Sequence, residues 1–123
     1  PSFSFHWGDS QTDSIEEQDV EVFYLTATNQ FTDIVFKGLS ITGVSLTPAT
    51  HSIDKIHIVP DRFISLNNLE PCSSQTREFA MITRAIDTAG DYTLQVRYSF
   101  EEITVASGAS SGVAEFPVCI TRD

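Results

Sequence analysis

The chain has 123 residues, of which 17 are acidic and seven basic, so its net charge is -10 and its pI is near 4.5. A surface with this charge repels a phosphate backbone, which argues against a nucleic-acid partner. No apolar run approaches the roughly 20 residues of a membrane-spanning helix, so membrane insertion is not expected. The length suits a single domain covering residues 1–123. Since the chain begins at Pro1 and not at methionine, we interpret that domain as part of a larger protein.

Alternation of apolar and polar residues with a period of two runs through the whole chain and predicts β-strands. At the start, Phe3, Phe5 and Trp7 alternate with polar residues. The predicted strands cover 2–7, 18–28, 31–39, 41–47, 53–59, 63–66, 75–84, 91–101 and 113–121. Some neighbouring runs are expected to form one bent strand. The acidic segment 8–18 has Ile15 as almost its sole apolar residue, and we predict a loop or a mobile connection there.

Turn-forming residues interrupt these strands about every ten residues. They lie at 28–30, 46–52, 67–74, 87–91 and 107–112. Parallel strands would need helical crossovers, and no helical period is visible. The pattern therefore predicts an all-β protein built as an antiparallel β-sandwich.

The stretch "DTAGDYTL" at 87–94 carries a recognisable motif. It resembles the Asp-x-Ala-Gly-x-Tyr-x-Cys pattern of immunoglobulin-type domains, with Leu94 in place of the cysteine. The resemblance implies an immunoglobulin-like antiparallel β-sandwich of seven to nine strands. It also implies structural roles for three residues. Asp87 would bond local N–H groups, Gly90 would permit the turn, and the Tyr92 hydroxyl would bond a backbone group upstream.

The stretch "LNNLEPCSSQT" at 66–76 resembles the lead-in of cysteine-poor immunoglobulin-like modules. Such modules occur in cell-surface proteins and in adaptor appendages of trafficking complexes. The segment 18–28 has no cysteine, which argues against an antibody-like domain. In the expected strand order Cys72 and Cys119 lie at opposite ends of the sandwich, over roughly 20 Å apart. A disulfide needs Cα atoms within about 7 Å, so we predict that the two are not bridged.

Candidate chemistry is sparse. Zinc motifs usually pair ligands about two to four positions apart, and the three histidines, His6, His51 and His57, show no such pair. The acidic residues of 13–19 lack a calcium-loop pattern and are interpreted as a solvated charge run. No nucleophile-elbow pattern is present, and adjacent carboxylates such as Glu101 and Glu102 face opposite ways on a strand. We therefore expect no catalytic residue, no metal site and no cofactor.

Two classes of function fit this sequence. The leading one is a non-catalytic interaction or spacer module of a surface protein or assembly, with a protein partner. The alternative is a carbohydrate-binding module attached to a glycan-active enzyme, which requires Phe3, Phe5 and Trp7 to form an exposed platform; inward packing is favoured. An appendage domain of an intracellular trafficking complex is a further possibility. Abundant Ser and Thr, with lysine at two positions only, favour an extracellular or cell-surface location over a cytoplasmic one.

Loops at one pole of such a sandwich come from alternate connections and are a usual place for recognition. We predict that three connections meet there. Their polar side chains are the candidate binding residues: Asn29, Gln30, Asn67, Asn68, Glu70, Ser107, Ser110 and Ser111. The other contact route that we consider is addition of a strand at an open sheet edge, which uses backbone groups and leaves these side chains irrelevant.

Overall fold

The computed structural model describes residues 1–9, 12–48, 55–103 and 106–122, with the backbone alone at 102–103 and 106–109. These residues form nine strands and no helix. The strands are β1 (Ser2–Trp7), β2 (Ile15–Glu16), β3 (Val20–Thr28), β4 (Phe36–Thr47), β5 (Ile56–Val59), β6 (Ile64–Leu69), β7 (Ser74–Thr83), β8 (Gly90–Ile103) and β9 (Ala106–Thr121). Within the described ranges there is accordingly no helix long and apolar enough to cross a membrane.

The strands form two sheets. The four-stranded sheet has the order β1-β3-β7-β5, and all its pairs are antiparallel. The five-stranded sheet has the order β2-β9-β8-β4-β6, antiparallel except for the parallel pair of β2 and β9. This strand order is that of the immunoglobulin sandwich. The predicted fold class, an all-β immunoglobulin-like sandwich, is confirmed.

The core lies between the inner faces of the two sheets. Alternate residues are buried from Phe23 to Ala27 on β3 and from Phe79 to Thr83 on β7, and the rings of Phe23 and Phe79 stack with centroids 5.2 Å apart. The five-stranded sheet contributes Leu94 and Val96, which are fully buried. Each such side chain stabilises the fold by about 1.5–3 kcal/mol relative to an exposed position. The period of two in the sequence thus reports directly which side chains form the core.

The strand boundaries differ from the prediction in two informative places. The expected strands 31–39 and 41–47 are one strand, β4, which begins at Phe36 and carries a bulge between Ile41 and Gly43. The prediction of a loop over 8–18 is wrong at Ile15–Glu16, because Ile15 is fully buried and β2 pairs with the end of β9. A two-residue strand leaves no periodic signal in the sequence.

Candidate functional site

Three connections meet at one pole of the sandwich. Phe36, which begins β4, pairs with Leu69 at the end of β6 and with Ile103 at the end of β8. The β3–β4 connection, the β6–β7 turn and the β8–β9 hairpin therefore all lie at this end. The hairpin tip, residues 104 and 105, lies outside the described residues.

Asn29, one of the candidate binding residues, is buried at this pole with 1% exposure. Its side-chain nitrogen donates to the carbonyl oxygens of Ile34 (2.6 Å) and Leu69 (3.1 Å), and its side-chain oxygen accepts from the N–H of Phe31 (3.0 Å). The amide thus ties the β3–β4 connection to the end of β6. Its neighbour Gln30 is exposed.

Two further candidates, Asn67 and Asn68, lie on β6 and not in a loop, which corrects the sequence interpretation. Asn67 has φ 57°, a left-handed conformation that asparagine adopts more easily than most residues. The pairing of β6 with β4 is irregular at this residue, and the strand continues on both sides of it. Asn68 accepts a hydrogen bond from the N–H of Gly38 at 3.0 Å. Glu70 follows β6 with its side chain exposed, and its carbonyl oxygen accepts from Ser73.

The three serine candidates also lie on a strand. The segment 107–112 was predicted to be a loop, but it belongs to β9 and pairs with β8, so that Ser110 lies opposite Phe100 and Ser111 opposite Ser99. Small residues fit here because the Tyr98 ring lies across Gly112, where an added Cβ would be 2.5 Å from the Tyr98 hydroxyl oxygen. Ser110 and Ser111 are exposed, and the side chain of Ser107 lies outside the description.

At the opposite pole, the stretch that carries the sequence motif forms a braced corner. The Tyr92 hydroxyl donates to the carbonyl oxygen of Thr88, four residues upstream, at 2.8 Å. Gly90 has φ 154°, a value that residues with side chains rarely adopt. The Asp87 carboxylate forms a salt bridge of 2.8 Å with Lys55 on the surface.

The corner has one partner that the sequence interpretation missed. Oε2 of Glu17 accepts hydrogen bonds from the N–H groups of Thr88 (2.7 Å) and Ala89 (3.0 Å), and Glu17 is only 3% exposed. The prediction of a solvated charge run is therefore wrong at this residue. Nothing in the local sequence separates Glu17 from the exposed Glu16 beside it, because the partner lies 71 residues away.

The outer side of β9 has unpaired backbone groups. In the part of the chain that the structure describes, β2 is the one strand on this side, and it pairs only with Ile120 and Thr121. The N–H of Glu17 donates to the carbonyl oxygen of Thr121 at 2.8 Å, so the backbone groups of Thr121 point away from β8. Because backbone direction alternates along a strand, those of the odd-numbered residues Ser111, Val113, Glu115, Pro117 and Cys119 point the same way.

Proline at 117 agrees with this assignment. Proline has no N–H, so it cannot occupy a position whose N–H must donate to β8. The odd-numbered residues from 111 to 117 are all exposed, and Val113 has 54% exposure. Small residues between them, Gly112 and Ala114, leave the backbone accessible. We call residues 111–117 of β9, with their outward backbone groups, the β9 edge.

On the opposite side of the sandwich, the edges are short or closed. β6 ends the five-stranded sheet, but the N–H of Asn67 bonds to Ser65 Oγ (3.2 Å) and the carbonyl oxygen of Asn68 accepts from Gln75 (3.4 Å). β5 ends the four-stranded sheet and has four residues. Bulges, short strands and internally satisfied groups are the devices by which proteins close sheet edges. The β9 edge has Pro117 at one end and none of these devices between 111 and 114.

The aromatic residues of β1 face the core. Trp7 is buried, and Phe3 and Phe5 are half-buried, with Phe5 packed against Phe23 (centroids 5.1 Å apart) and Phe116 (6.0 Å apart). The exposed platform required by the carbohydrate-binding alternative is therefore absent from this strand. The inward packing that the sequence favoured is confirmed.

The remaining candidate ligands do not converge. Among the described residues, no group of three His, Cys, Asp or Glu side chains could hold a metal ion, and His51 lies outside those residues. His6 stacks on Tyr24 with centroids 5.4 Å apart. Cys72 and Cys119 are both free, as predicted.

Comparisons with known proteins add little about function. No protein-family model matches the chain, and no curated protein matches its sequence. The matching solved structures include SSP-19, an MSP-domain protein like family member in Caenorhabditis elegans, with a TM-score of 0.47 and 14% sequence identity. The match covers 88% of this chain and 92% of that chain. The fold assignment above rests on strand order and register.

Proposed function

We propose that this chain is a non-catalytic protein-interaction module, which binds an extended segment of its partner by strand addition to the β9 edge. The observation that carries this proposal is the set of outward backbone groups at Ser111, Val113 and Glu115, with which no described strand pairs. We also propose that this module is part of a surface protein or of a larger assembly.

Strand addition suits this edge for a physical reason. An added strand gains main-chain hydrogen bonds with groups that are already extended and held in place by the long pairing of β8 with β9. The host therefore orders little of its own chain on binding, which keeps the entropic cost low. By contrast, Asn29 is already committed to three hydrogen bonds within the pole and has no free polar atom to offer a partner.

Substituting proline at Val113 tests the proposal. The N–H of Val113 points outward, so Val113→Pro removes an edge donor without removing a hydrogen bond to β8, and Pro117 shows that this strand accepts proline at such a position. The matched control is Val113→Ala, which changes the side chain and keeps the donor. Ser111→Pro serves as a second variant if Val113→Pro does not fold.

The probe is a phage-displayed library of random linear peptides, selected on the wild-type protein. We expect the selected peptides to bind Val113→Pro at least tenfold more weakly, about 1.4 kcal/mol, and to bind Val113→Ala nearly as well as wild type. Bound peptide should also slow hydrogen exchange at Ser111, Val113 and Glu115. Failure to select any peptide, or equal affinity for the proline variant, would overturn the proposal.

A further inference from the structure

Beside the β9 edge, half-buried aromatic side chains lie at the rim where the two sheets meet. β1 and β9 lie on the same side of the sandwich, each at or near the edge of its sheet, and the rings of Phe5 and Phe116 approach to 6.0 Å between centroids. Phe3 packs on Tyr98 in the same region, with centroids 4.8 Å apart. We call this the side opening, lined by Phe3, Phe5, Tyr98, Ala114 and Phe116.

The side chains that line the side opening are only half-buried, although they pack against the core. Elsewhere in the same two sheets, inward residues such as Phe23 on β3 and Val96 on β8 are fully buried. On their outer sides, neither β1 nor β9 has a described neighbour over this stretch, so water reaches core-facing rings from the side. Covering these rings with apolar side chains would be favourable by about 25 cal/mol for each Å² removed from water.

A strand added to the β9 edge would continue the five-stranded sheet. Its residues level with Ala114 and Phe116 would point inward, into the side opening, and those level with Val113 and Glu115 would point outward. The inward positions meet aromatic rings and a methyl group. Apolar side chains at alternate positions of the guest strand therefore fit the inner side.

The outward positions meet a different chemistry. Glu115 is exposed on the outer face of β9, and Gln95 on β8 donates to its carboxylate at 3.3 Å. Arg97, which pairs with Val113, does not neutralise this face at the edge, because its guanidinium lies over Gly43 and donates to Ser45 on β4. The whole chain carries a net charge of -10. A cationic side chain on the guest, level with Glu115, would be attracted by the Glu115 carboxylate and by the negative net charge of the chain.

A second copy of the chain fits this opening poorly. If the β9 edges of two copies paired, they would form one continuous sheet. The core-facing side chains of each β9 would stay in the core of their own copy. The side opening would stay uncovered, and two chains that each carry a net charge of -10 would be brought together.

We propose that the guest is a cationic extended segment with apolar side chains at alternate positions, which cover the half-buried rings of the side opening while a Lys or Arg faces Glu115. This proposal rests on strand addition at the β9 edge. It adds the chemistry that selects the guest.

Three nine-residue peptides test it by fluorescence anisotropy. All alternate two kinds of residue: lysine with valine in the first, lysine with serine in the second, and glutamate with valine in the third. We expect the lysine–valine peptide to bind, and the lysine–serine peptide to bind at least tenfold more weakly because it places nothing apolar in the opening. The glutamate–valine peptide should also bind at least tenfold more weakly. Glu115→Gln should reduce the affinity for the lysine–valine peptide about threefold, since an exposed ion pair contributes about 0.2–1 kcal/mol.

The outcomes separate the two proposals. If the lysine–valine and lysine–serine peptides bind equally and Val113→Pro abolishes both, strand addition stands and the apolar selection is wrong. Equal affinity for the lysine–valine and glutamate–valine peptides would show that the charge of the guest does not determine binding. Binding of all three to Val113→Pro would overturn both proposals. Concentration-dependent dimerisation that Val113→Pro abolishes would replace the guest strand with a second copy.

Discussion

Oε2 of Glu17 lies 2.7 Å from the backbone nitrogen of Thr88, 71 residues further along the chain. A buried carboxylate thus caps the turn that the Tyr92 hydroxyl braces from its other side. Two of these three hydrogen bonds come from a carboxylate 71 residues away from Thr88, and the third comes from a tyrosine only four residues away.

Replacing Glu17 by Ala should destabilise the protein by about 2–4 kcal/mol, because the buried N–H of Thr88 and the part-buried N–H of Ala89 lose their charged acceptor. The matched control is Glu16→Ala, which removes an exposed carboxylate one position away and should change the free energy of unfolding by less than about 0.5 kcal/mol. Urea denaturation measures both. Equal effects of the two substitutions would show that charge in this segment matters and the corner does not.

Tyr92→Phe removes the hydroxyl and leaves the carbonyl oxygen of Thr88 without that donor. We expect a loss of about 1–3 kcal/mol in the free energy of unfolding. Tyr24→Phe is the control, since Tyr24 lies on the outer face of β3 against His6 and its change should stay within about 0.5 kcal/mol. Peptide binding to the β9 edge should survive in both variants. An unchanged denaturation midpoint for Tyr92→Phe would remove the structural role of this hydroxyl.

Asn29→Asp keeps the shape of the side chain and replaces its donor nitrogen by oxygen. The carboxylate would face the carbonyl oxygens of Ile34 and Leu69, so we expect destabilisation of about 2 kcal/mol or more. Gln30→Glu adds the same charge at the exposed neighbouring position and should have little effect. Thermal unfolding compares the two, and similar melting temperatures would contradict the assigned role of Asn29.

The pKa of the Cys119 thiol is raised by desolvation and, next, by the negative charge of Asp91 and a hydrogen bond to it, with a further contribution from Asp13. Because alkylation requires the thiolate, its rate at a fixed pH should increase when this charge is removed. We expect Asp91→Asn, in a Cys72→Ser background, to shift the pH–rate profile for iodoacetamide to lower pH. Asp33→Asn, at the other pole, should leave the profile in place. An unshifted profile in Asp91→Asn would exclude control of this thiol by Asp91.

The parts of the fold that follow from local pattern could be predicted from the sequence. Alternation placed β1 and the inward direction of Phe3 and Phe5, and the motif placed Tyr92 at a corner, because each depends on residues close together in the chain. β2 and the buried state of Glu17 could not be predicted, since both depend on partners across the sandwich. A single apolar residue, Ile15, in an acidic segment forms no periodic pattern from which a strand could be predicted.

The placement of the candidate binding residues meets the same limit. Composition predicts loops at these asparagine and serine residues, but Asn67 lies within a bulged strand and Ser111 pairs with Ser99 on β8. Whether small polar residues form a turn or a strand depends on whether a neighbouring strand is long enough to pair with them. Because β8 extends to Ile103, the serine-rich stretch has a strand to pair with and becomes part of β9.

The parallel pairing of β2 with β9 also bears on how the chain folds. The hydroxyl of Thr121 donates to the carbonyl oxygen of Ile15, 106 positions earlier, and Glu17 reaches the corner from the same segment. Contacts between distant residues form late, because the chain must close a large loop before it gains from them. During synthesis, β2 therefore cannot pair until β9 has left the ribosome. Until then, Ile15 has no strand to pair with, and the corner at Thr88 lacks the backbone pairing that positions the carboxylate of Glu17.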